Sequence, residues 1–202
     1  MKLVFDIETN GLLEEVTKIF SIVAEDLDTQ KVYSFNPDNI DDGVKLLSKA
    51  DLLVGHNIQG FDIPVIEKLY DIEIKAELFD TLIVSRLIYS NLFDKDLEFK
   101  KIPSRLFGKH SLEAWGHRLG QHKGEYLNIN GFDKWTPEMQ EYCENDNKIT
   151  LQLYKHLQNK RYSSQAIELE HQFAHWIRKQ ERLGVNFDAV SYTHLTLPTR
   201  LP

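Results

Sequence analysis

The spacing of apolar residues in the first part of the chain is mostly that of β-strands. It predicts strands at Lys2–Ile7, Lys18–Leu27 and Lys31–Phe35, and a short buried strand at Leu52–Val54. The polar turn Asp28–Gln30 separates the second strand from the third, which is typical of a hairpin. At least one pair of strands is therefore expected to be antiparallel.

Helical spacing dominates the rest of the chain. The predicted helices cover Asp41–Ala50, Phe61–Tyr70, Asp80–Ser90, Ser111–Gly120, Thr136–Leu157 and Ala166–Leu183. Thr136 followed by Pro137 is a strong helix start, because Thr caps free amides and Pro suits the first turn. Asn91–Lys109 and Gly124–Thr136 show no clear period and are interpreted as long connections. This mixture of elements predicts an α/β fold with a mixed sheet flanked by helices.

The composition is that of one globular domain with room for a fragment of another, since the chain has 202 residues and 42% of them are apolar. No stretch approaches the roughly 18 apolar residues that cross a bilayer, and the N-terminus lacks the layout of a signal peptide. We therefore expect a cytosolic protein without membrane contact. The one cysteine, Cys143, excludes an internal disulfide and is interpreted as a buried, inert thiol.

Charge is unevenly distributed along the chain. The net charge of -7 argues against broad nonspecific binding of nucleic acid, which depends on Lys and Arg. Residues 95–124 nevertheless carry seven basic and three acidic side chains, together with His110, His117 and His122. The basic residues of this strip are Lys95, Lys100, Lys101, Arg105, Lys109, Arg118 and Lys123. This basic strip is either a solvated surface or a face that guides phosphates.

Two acidic residues interrupt the first predicted strand. In LVFDIETNGL, residues 3–12, Asp6 and Glu8 stand two positions apart, so their side chains share one face with Cα atoms roughly 7 Å apart. Like charges this close are unfavourable in a buried strand unless a proton or a cation balances them. The carboxyl end of a strand is also where open α/β sheets place their sites.

A third acidic residue follows the predicted strand at Leu52–Val54. The stretch GHNIQGFD, residues 55–62, leaves that strand and ends at Asp62, which would lie at the same edge if the two strands are neighbours. His56 and Asn57 are either turn residues that cap the next helix or members of the site.

A fourth acidic residue lies on the predicted helix Thr136–Leu157. In YCEND, residues 142–146, Tyr142 and Asp146 are four apart and share one helix face. Asp146 falls within the apolar stripe of this helix, where a carboxylate must be paired or bound to metal. The alternative is that Asp146 reaches solvent at the edge of the stripe.

Together these carboxylates indicate a site for divalent cations. The four residues are Asp6, Glu8, Asp62 and Asp146, and no basic residue accompanies them at matching spacing. Hard oxygen ligands favour Mg²⁺ or Mn²⁺, and two ions roughly 4 Å apart form the clamp used in phosphodiester hydrolysis. The sequence contains no Gly-x-Ser-x-Gly, no Gly-rich phosphate loop, no dinucleotide fingerprint and no His pair at zinc spacing.

The same motifs carry a family likeness. DIET at residues 6–9, HNIQGFD at residues 56–62 and YCEND at residues 142–146 resemble, in order and spacing, the three motifs of the DEDDy 3′→5′ exonucleases. Tyr142, in place of His, marks the y subclass. The resemblance implies a ribonuclease H-like fold with a mixed five-stranded sheet flanked by helices.

The likeness extends over nearly all of residues 1–188. DTLIVSRLIYSNL (80–92), LFGKHSLEAWGHRLGQHKGEY (106–126) and IELEHQFAHWIRKQERLGVNFD (167–188) are similar to the proofreading domain of T-seven-type phage DNA polymerases, a branch of family A. The resemblance thus implies part of a viral DNA-directed DNA polymerase that acts in the cytoplasm of the host cell.

The resemblance also divides the chain. It implies a 3′→5′ exonuclease domain at residues 1–160 and the start of a truncated polymerase domain at residues 161–188. The remaining stretch, AVSYTHLTLPTRLP, departs from the family pattern, shows no helical continuation and looks like translated adapter sequence. We expect this tail, residues 189–202, to be non-native and to pack against nothing.

The resemblance implies a role for each acidic residue. Asp6, Glu8 and Asp146 would hold the ion that activates water. Asp6 would also bridge to the second ion, Asp62 would act mainly through bound waters, and Tyr142 would orient the attacking water. The implied cofactors are two Mg²⁺ ions, for which Mn²⁺ can substitute, and the implied products are nucleoside 5′-monophosphates.

The implied substrate is the 3′ end of single-stranded DNA, because a paired terminus cannot bend into such a site. The residues expected to contact it are Thr9, Leu12, His56, Asn57 and Phe61. Leu12 matches the family's wedge between the last two bases, although a place in the core is equally consistent for Leu12 and Phe61. An RNA-trimming exonuclease of the same fold and a silent nucleic-acid-binding scaffold remain as alternatives.

Overall fold

The computed structural model of this protein describes residues 1–121 and 134–195, with side chains as far as residue 192. The strands in these ranges are β1 (Lys2–Thr9), β2 (Ile19–Asp26), β3 (Val32–Phe35), β4 (Leu52–Gly55) and β5 (Glu77–Asp80). The helices are α1 (Ile40–Leu47), α2 (Asp62–Tyr70), α3 (Thr81–Ile88), α4 (Leu92–Phe99), α5 (Leu112–Arg118), α6 (Pro137–Gln158), α7 (Ser164–Leu183) and α8 (Ala189–Leu195). A 3-10 turn covers Ser104–Leu106.

The five strands form one mixed sheet in the order β3-β2-β1-β4-β5. β2 pairs antiparallel with both β1 and β3, whereas β4 pairs parallel with both β1 and β5. The predicted mixed five-stranded sheet flanked by helices is therefore confirmed, as is the hairpin between the second and third strands. The parallel pairing brings the carboxyl ends of β1 and β4 to the same edge of the sheet.

The central strand β1 has helices on both of its faces. Leu3, Phe5 and Ile7 lie in an apolar cluster with residues of α1 and α2. Val4 lies in a second cluster, with residues of α3, α5 and α6. Because side chains alternate along a strand, Asp6 and Glu8 continue the Val4 face and point toward the layer that contains α6.

The helix α6 begins as its sequence predicts. The Thr136 side chain accepts a hydrogen bond from the Met139 amide, and Pro137 occupies the first turn. The helix runs for 22 residues and packs against β1 and β2. Its N-terminal half therefore crosses the face of β1 that carries the acidic pair.

Two predicted features were wrong in detail. Residues 77–80 form the edge strand β5, which is too short for a strand pattern, and the helix expected from Asp80 begins at Thr81. Asn91–Lys109, predicted to be a connection, contains α4, which is stabilised by an ion pair of its Asp96 that local spacing does not show. The connection predicted at Gly124–Thr136 lies mostly outside the described residues.

The tail predicted to lack a helix instead forms α8. The Asp188 carboxylate accepts hydrogen bonds from the Ser191 amide and hydroxyl, so this short helix has its own cap. Val190 and Tyr192 are 68% and 55% exposed, and the Tyr192 ring contacts Phe187. The non-native origin of this tail stays a prediction.

Within the two described ranges, no helix combines the length and the hydropathy that a membrane crossing requires.

We expect Gly55→Ala to destabilise the protein by about 1–3 kcal/mol, because overpacking a filled core forces neighbouring groups to move. A Cβ at this position would overlap the Cγ2 methyl of the buried Ile58 and lie 3.1 Å from the carbonyl oxygen of Phe5. Urea denaturation measures the free energy of unfolding. Gly11→Ala is the matched control, since its Cβ would meet no atom closer than 3.8 Å, and equal stability losses in the two variants would contradict this account.

Candidate active site

The acidic pair on β1 faces the N-terminal half of α6. Asp6 and Glu8 are both half-buried. The thiol of Cys143 donates a hydrogen bond of 3.4 Å to the backbone carbonyl of Asp6. This contact places the YCEND segment of α6 directly on the strand residue that begins the acidic pair.

The pKa of the buried thiol of Cys143 depends on the charges around it. Its pKa is raised, first by burial and then by the negative charges of Asp6, Glu8 and Asp146. Three carboxylates from two elements therefore lie close enough to one sulfur atom to influence its ionisation. The expectation of a buried, inert thiol agrees with this environment, because burial and negative charge both disfavour the thiolate.

Asp146 lies on the buried face of α6. It is 7% exposed and stands in the same stripe as Met139, Cys143 and Ile149. The interpretation that Asp146 reaches solvent at the edge of the stripe is therefore wrong. Tyr142, one turn earlier, is half-buried.

Asp62 lies beside the same strand. It is the first residue of α2 and is 5% exposed. Burial raises the pKa of Asp62 to about 7, helped by the negative charge of Asp80, while hydrogen bonds with the backbone of Asp62 itself and of Ile7 act in the opposite direction. Because Ile7 lies between Asp6 and Glu8 in β1, its backbone connects Asp62 to the acidic pair.

Three of the predicted metal ligands, Asp6, Glu8 and Asp146, thus lie near Cys143, and the fourth, Asp62, lies near the backbone of Ile7. Among the side chains that the structure describes, no three of the His, Cys, Asp and Glu type are grouped closely enough to hold a metal ion. The donor set fits a hard divalent cation, because it consists of carboxylate oxygens. The metal site itself stays a prediction.

The loop between β4 and α2 depends on two glycines. Gly55 permits close contact with Ile58 and β1, and a Cβ at Gly60 would lie 2.5 Å from the Asn57 side-chain oxygen. Asn57 has a left-handed backbone with φ of 65°, and its carbonyl accepts hydrogen bonds from the amides of Gly60 and Phe61. Asn57 is therefore a turn residue, although it does not cap α2.

His56 is held at the base of the same loop. Its Nδ1 lies 2.9 Å from the hydroxyl oxygen of Thr81, and that hydroxyl donates to the carbonyl of Gly55. The Thr81 oxygen is thus left to accept from His56, which assigns the ring proton to Nδ1. A role for His56 toward substrate stays a prediction.

The loop is organised by Asp80, which local sequence patterns mark only as a helix start. It is 1% exposed, and its carboxylate accepts hydrogen bonds from the amides of Asn57, Gln59 and Leu82 at 2.9–3.1 Å. The bond to Leu82 is an ordinary helix cap and was readable from the sequence. The bonds to the loop join residues more than twenty positions apart, so no local pattern could predict them.

The residues expected at the bases occupy different environments. Leu12 is 75% exposed, so a place in the core is excluded for it. Phe61 is half-buried and packs against the apolar cluster of α1 and α2. Thr9 is buried, and its hydroxyl donates to the carbonyl of Gly11, which shapes the turn that presents Leu12.

The basic strip is less positive than its sequence suggests. The side chain of Arg118 is only 10% exposed and donates two hydrogen bonds to Asp96, and Arg105 contacts Glu113 at 2.5 Å. Lys123 and His122 lie outside the described residues. Lys100 and Lys101 are exposed, so a role of the strip in guiding a strand stays a prediction.

Comparisons with known proteins agree with the fold. A sequence model of the RNase H superfamily matches residues 3–158. The DNA-directed DNA polymerases of Escherichia phage T7 and Enterobacteria phage T3 are each 34% identical to this chain over 241 aligned residues. The alignment takes in 96% of this chain and 34% of each polymerase, so the chain spans about a third of the length of these curated relatives. The resemblance to T-seven-type phage polymerases is confirmed.

Solved structures share the fold at low sequence identity. A nuclease in its apo form matches with a TM-score of 0.61 at 16% identity, over 94% of this chain and 88% of that chain. Brucella melitensis NrnC with bound Mg²⁺ matches with a TM-score of 0.55 at 14% identity, over 94% and 89% of the two chains. Escherichia coli RNase D, described as an exoribonuclease involved in structured RNA processing, matches with a TM-score of 0.52 at 15% identity, over 88% and 45%.

We expect the stability of the metal-free protein to depend on the ionisation of Asp62. Since the pKa of Asp62 is raised from 3.8 to about 7 by folding, its contribution to stability is fully present below about pH 4 and is lost as the pH rises toward 7. Urea unfolding in chelator should give a free energy that falls between pH 5 and pH 8 by on the order of 2 kcal/mol more in the wild type than in Asp62→Asn. Parallel pH profiles for the two proteins would contradict this assignment.

Proposed function

This chain belongs to the RNase H superfamily, and on that premise we propose that it is a metal-dependent 3′→5′ exonuclease acting on the 3′ end of single-stranded DNA. The observation that supports the proposal is the packing of α6 on β1, where Cys143 contacts the backbone of Asp6 and the charges of Asp6, Glu8 and Asp146 surround its thiol. The fourth carboxylate, that of Asp62, is hydrogen-bonded to the backbone of Ile7 in the same strand.

The residues around Ile7 would hold two Mg²⁺ ions, for which Mn²⁺ could substitute. Asp6, Glu8 and Asp146 would bind one ion, Asp6 would also contact the second, and Asp62 would act mainly through water. When bound, such ions supply a water of lowered pKa and stabilise the charge on the departing 3′ oxygen. The cation would also offset the repulsion among these carboxylates. For Asp62 it would favour the charged form and so counteract the rise in pKa that burial causes.

Tyr142 would orient the attacking water. It lies one turn before Asp146 on α6 and is half-buried, so its position relative to the carboxylates is set by the packing of a long helix. In-line attack at the terminal phosphorus would release a nucleoside 5′-monophosphate without a covalent intermediate.

The substrate end would lie between the turn after β1 and the loop before α2. Leu12, exposed on that turn, would separate the last two bases, and Phe61 would add an apolar surface. Thr9, His56 and Asn57 would contact the terminal nucleotide. Thr9 would also act indirectly, because its hydroxyl shapes the turn that carries Leu12.

We propose DNA, not RNA, as the substrate because the curated relatives are phage DNA polymerases. Their likeness covers 96% of this chain, and it supports proofreading for a viral DNA polymerase in the host cytoplasm. Residues 161–188 would then begin the polymerase domain, which would be the partner of residues 1–160 in the intact protein. An RNA exonuclease is the second candidate, favoured by the shared fold of RNase D.

We expect purified protein to release mononucleotides from 3′-labelled single-stranded DNA in Mg²⁺ but not in chelator. Asp6→Asn should lose at least a hundredfold in rate, because a two-ion site loses the carboxylate that contacts both ions. Asp38→Asn is the matched control, since Asp38 is exposed and lies outside the site. RNA strands of the same sequence are tested in parallel.

The outcomes separate the candidates. Faster release from RNA than from DNA would favour the RNA exonuclease, and tight binding without any release would favour the silent scaffold. Equal residual activity in Asp6→Asn and Asp38→Asn would indicate a contaminating nuclease and overturn the proposal.

We expect Leu12→Ala to slow release from single-stranded DNA several-fold and to leave stability within about 0.5 kcal/mol, because the side chain is exposed and its role is toward the bases. Val32→Ala, an exposed apolar residue on the edge strand β3, is the control and should change neither quantity. A stability loss above 1 kcal/mol in Leu12→Ala would instead indicate a structural role.

A further inference from the structure

The helix α7 reaches the loop that carries the HNIQGFD motif. The guanidinium of Arg178 donates from Nη2 to the side-chain oxygen of Asn57 at 3.2 Å. The same nitrogen would lie 3.2 Å from a Cβ at Gly60, so the absence of that Cβ leaves room for the contact. A second nitrogen of Arg178 contacts Glu181 at 3.0 Å, within α7 itself.

The loop is joined to α7 at a second point. Nε2 of the buried His171 accepts a hydrogen bond of 2.8 Å from the amide of Asp80, and the carboxylate of Asp80 holds the amides of Asn57 and Gln59. His171 Nδ1 carries the ring proton and donates a hydrogen bond of 2.8 Å to the carbonyl of Ile167. The backbone of Asn57 and its side chain are thus both positioned by groups that α7 supports.

The contact with Arg178 decides which way the Asn57 amide faces. Arg carries donors only, so the atom that it meets must be the amide oxygen. The amide nitrogen then points elsewhere, and among the described residues it is bonded to no acceptor. Because Asn57 is only half-buried, Arg178 is the described contact that distinguishes the two orientations of its amide.

We propose that Arg178 is a positioning residue that holds Asn57 with its NH₂ group toward the substrate, so that Asn57 recognises an acceptor oxygen of the terminal nucleotide. This rests on the proposed function, because it assumes that the terminal nucleotide lies beside Asn57. It adds a specific chemistry to that contact, namely two N–H donors aimed at a phosphate or sugar oxygen. It also makes α7 part of the substrate site.

An alternative role for Arg178 is a direct contact with phosphate. The side chain is only 36% exposed, and its donors are engaged by Asn57 and Glu181. Positioning and direct contact differ in their dependence on salt. A residue that neutralises a phosphate of a single strand contributes about 0.7 to the slope of log affinity against log salt, whereas a residue that only orients a neutral amide contributes nothing.

The test is a double-mutant cycle between Arg178→Ala and Asn57→Ala, read by KM and kcat on single-stranded DNA and repeated at several salt concentrations. We expect each single variant to raise KM about fivefold with kcat within twofold, which corresponds to the loss of one hydrogen bond of net about 1 kcal/mol. The double variant should be no worse than Asn57→Ala, and the salt slope of Arg178→Ala should equal that of the wild type. Arg178→Lys should fall between.

Two controls complete the test. Arg182→Ala removes an exposed cation one helical turn away on the same face of α7 and should change KM less than twofold. Asn57→Asp keeps the acceptor for Arg178 but lacks the N–H donors, so it should raise KM at least as much as Asn57→Ala while unfolding at no lower temperature than the wild type.

Additive effects of Arg178→Ala and Asn57→Ala, or a salt slope reduced by about 0.7 in Arg178→Ala, would overturn the proposal. The wild type, the two single variants and the double variant are also unfolded by heat without nucleic acid. This measurement distinguishes failure of the proposed function from failure of the positioning role of Arg178. If the wild type neither binds nor cuts DNA, the proposed function fails, whereas additive melting shifts would show that the contact between Arg178 and Asn57 does not couple the two side chains.

Discussion

The packing of α6 across the central strand is the constraint on which the site depends. The strand β1 is covered on both faces, and its Val4 face continues into Asp6 and Glu8, directly under the first half of α6. Burying Met139, Cys143 and Ile149 of that helix therefore also buries Asp146 beside the acidic pair. The apolar contacts that stabilise the fold hold like charges together at a cost that a cation can offset.

The second half of the site depends on the close approach of β4 and its loop to β1. Gly55 allows this approach, and the buried Asp80 holds the backbone of the loop with three hydrogen bonds. The loop then presents Asn57 and, at the first residue of α2, Asp62. A carboxylate that serves only as an acceptor for backbone amides is thus as important for the geometry as those expected to meet the substrate, because it sets where the loop ends.

Periodicity and motifs predicted the fold class and the acidic residues, since both are encoded locally. The alternation in β1, the Thr136 cap and the hairpin after β2 depend on neighbours within a few positions. The edge strand β5 and the helix α4 escaped prediction because each is stabilised by partners distant in sequence. Asp96 of α4, for example, pairs with Arg118 across 22 positions, which also removes Arg118 from the basic strip.

The sequence by itself determined the chemical type of the site: four carboxylates, a tyrosine and a Gly-bounded loop, at spacings that place them on a strand end, a helix start and a long helix. Only the tertiary structure decided which of them are buried, how they lie around Ile7, and that α7 supports the loop through His171 and Arg178. The physical reason is that hydrogen bonds and burial between distant segments depend on the packed arrangement of several elements, whereas periodicity records only what each element presents to its own immediate surroundings.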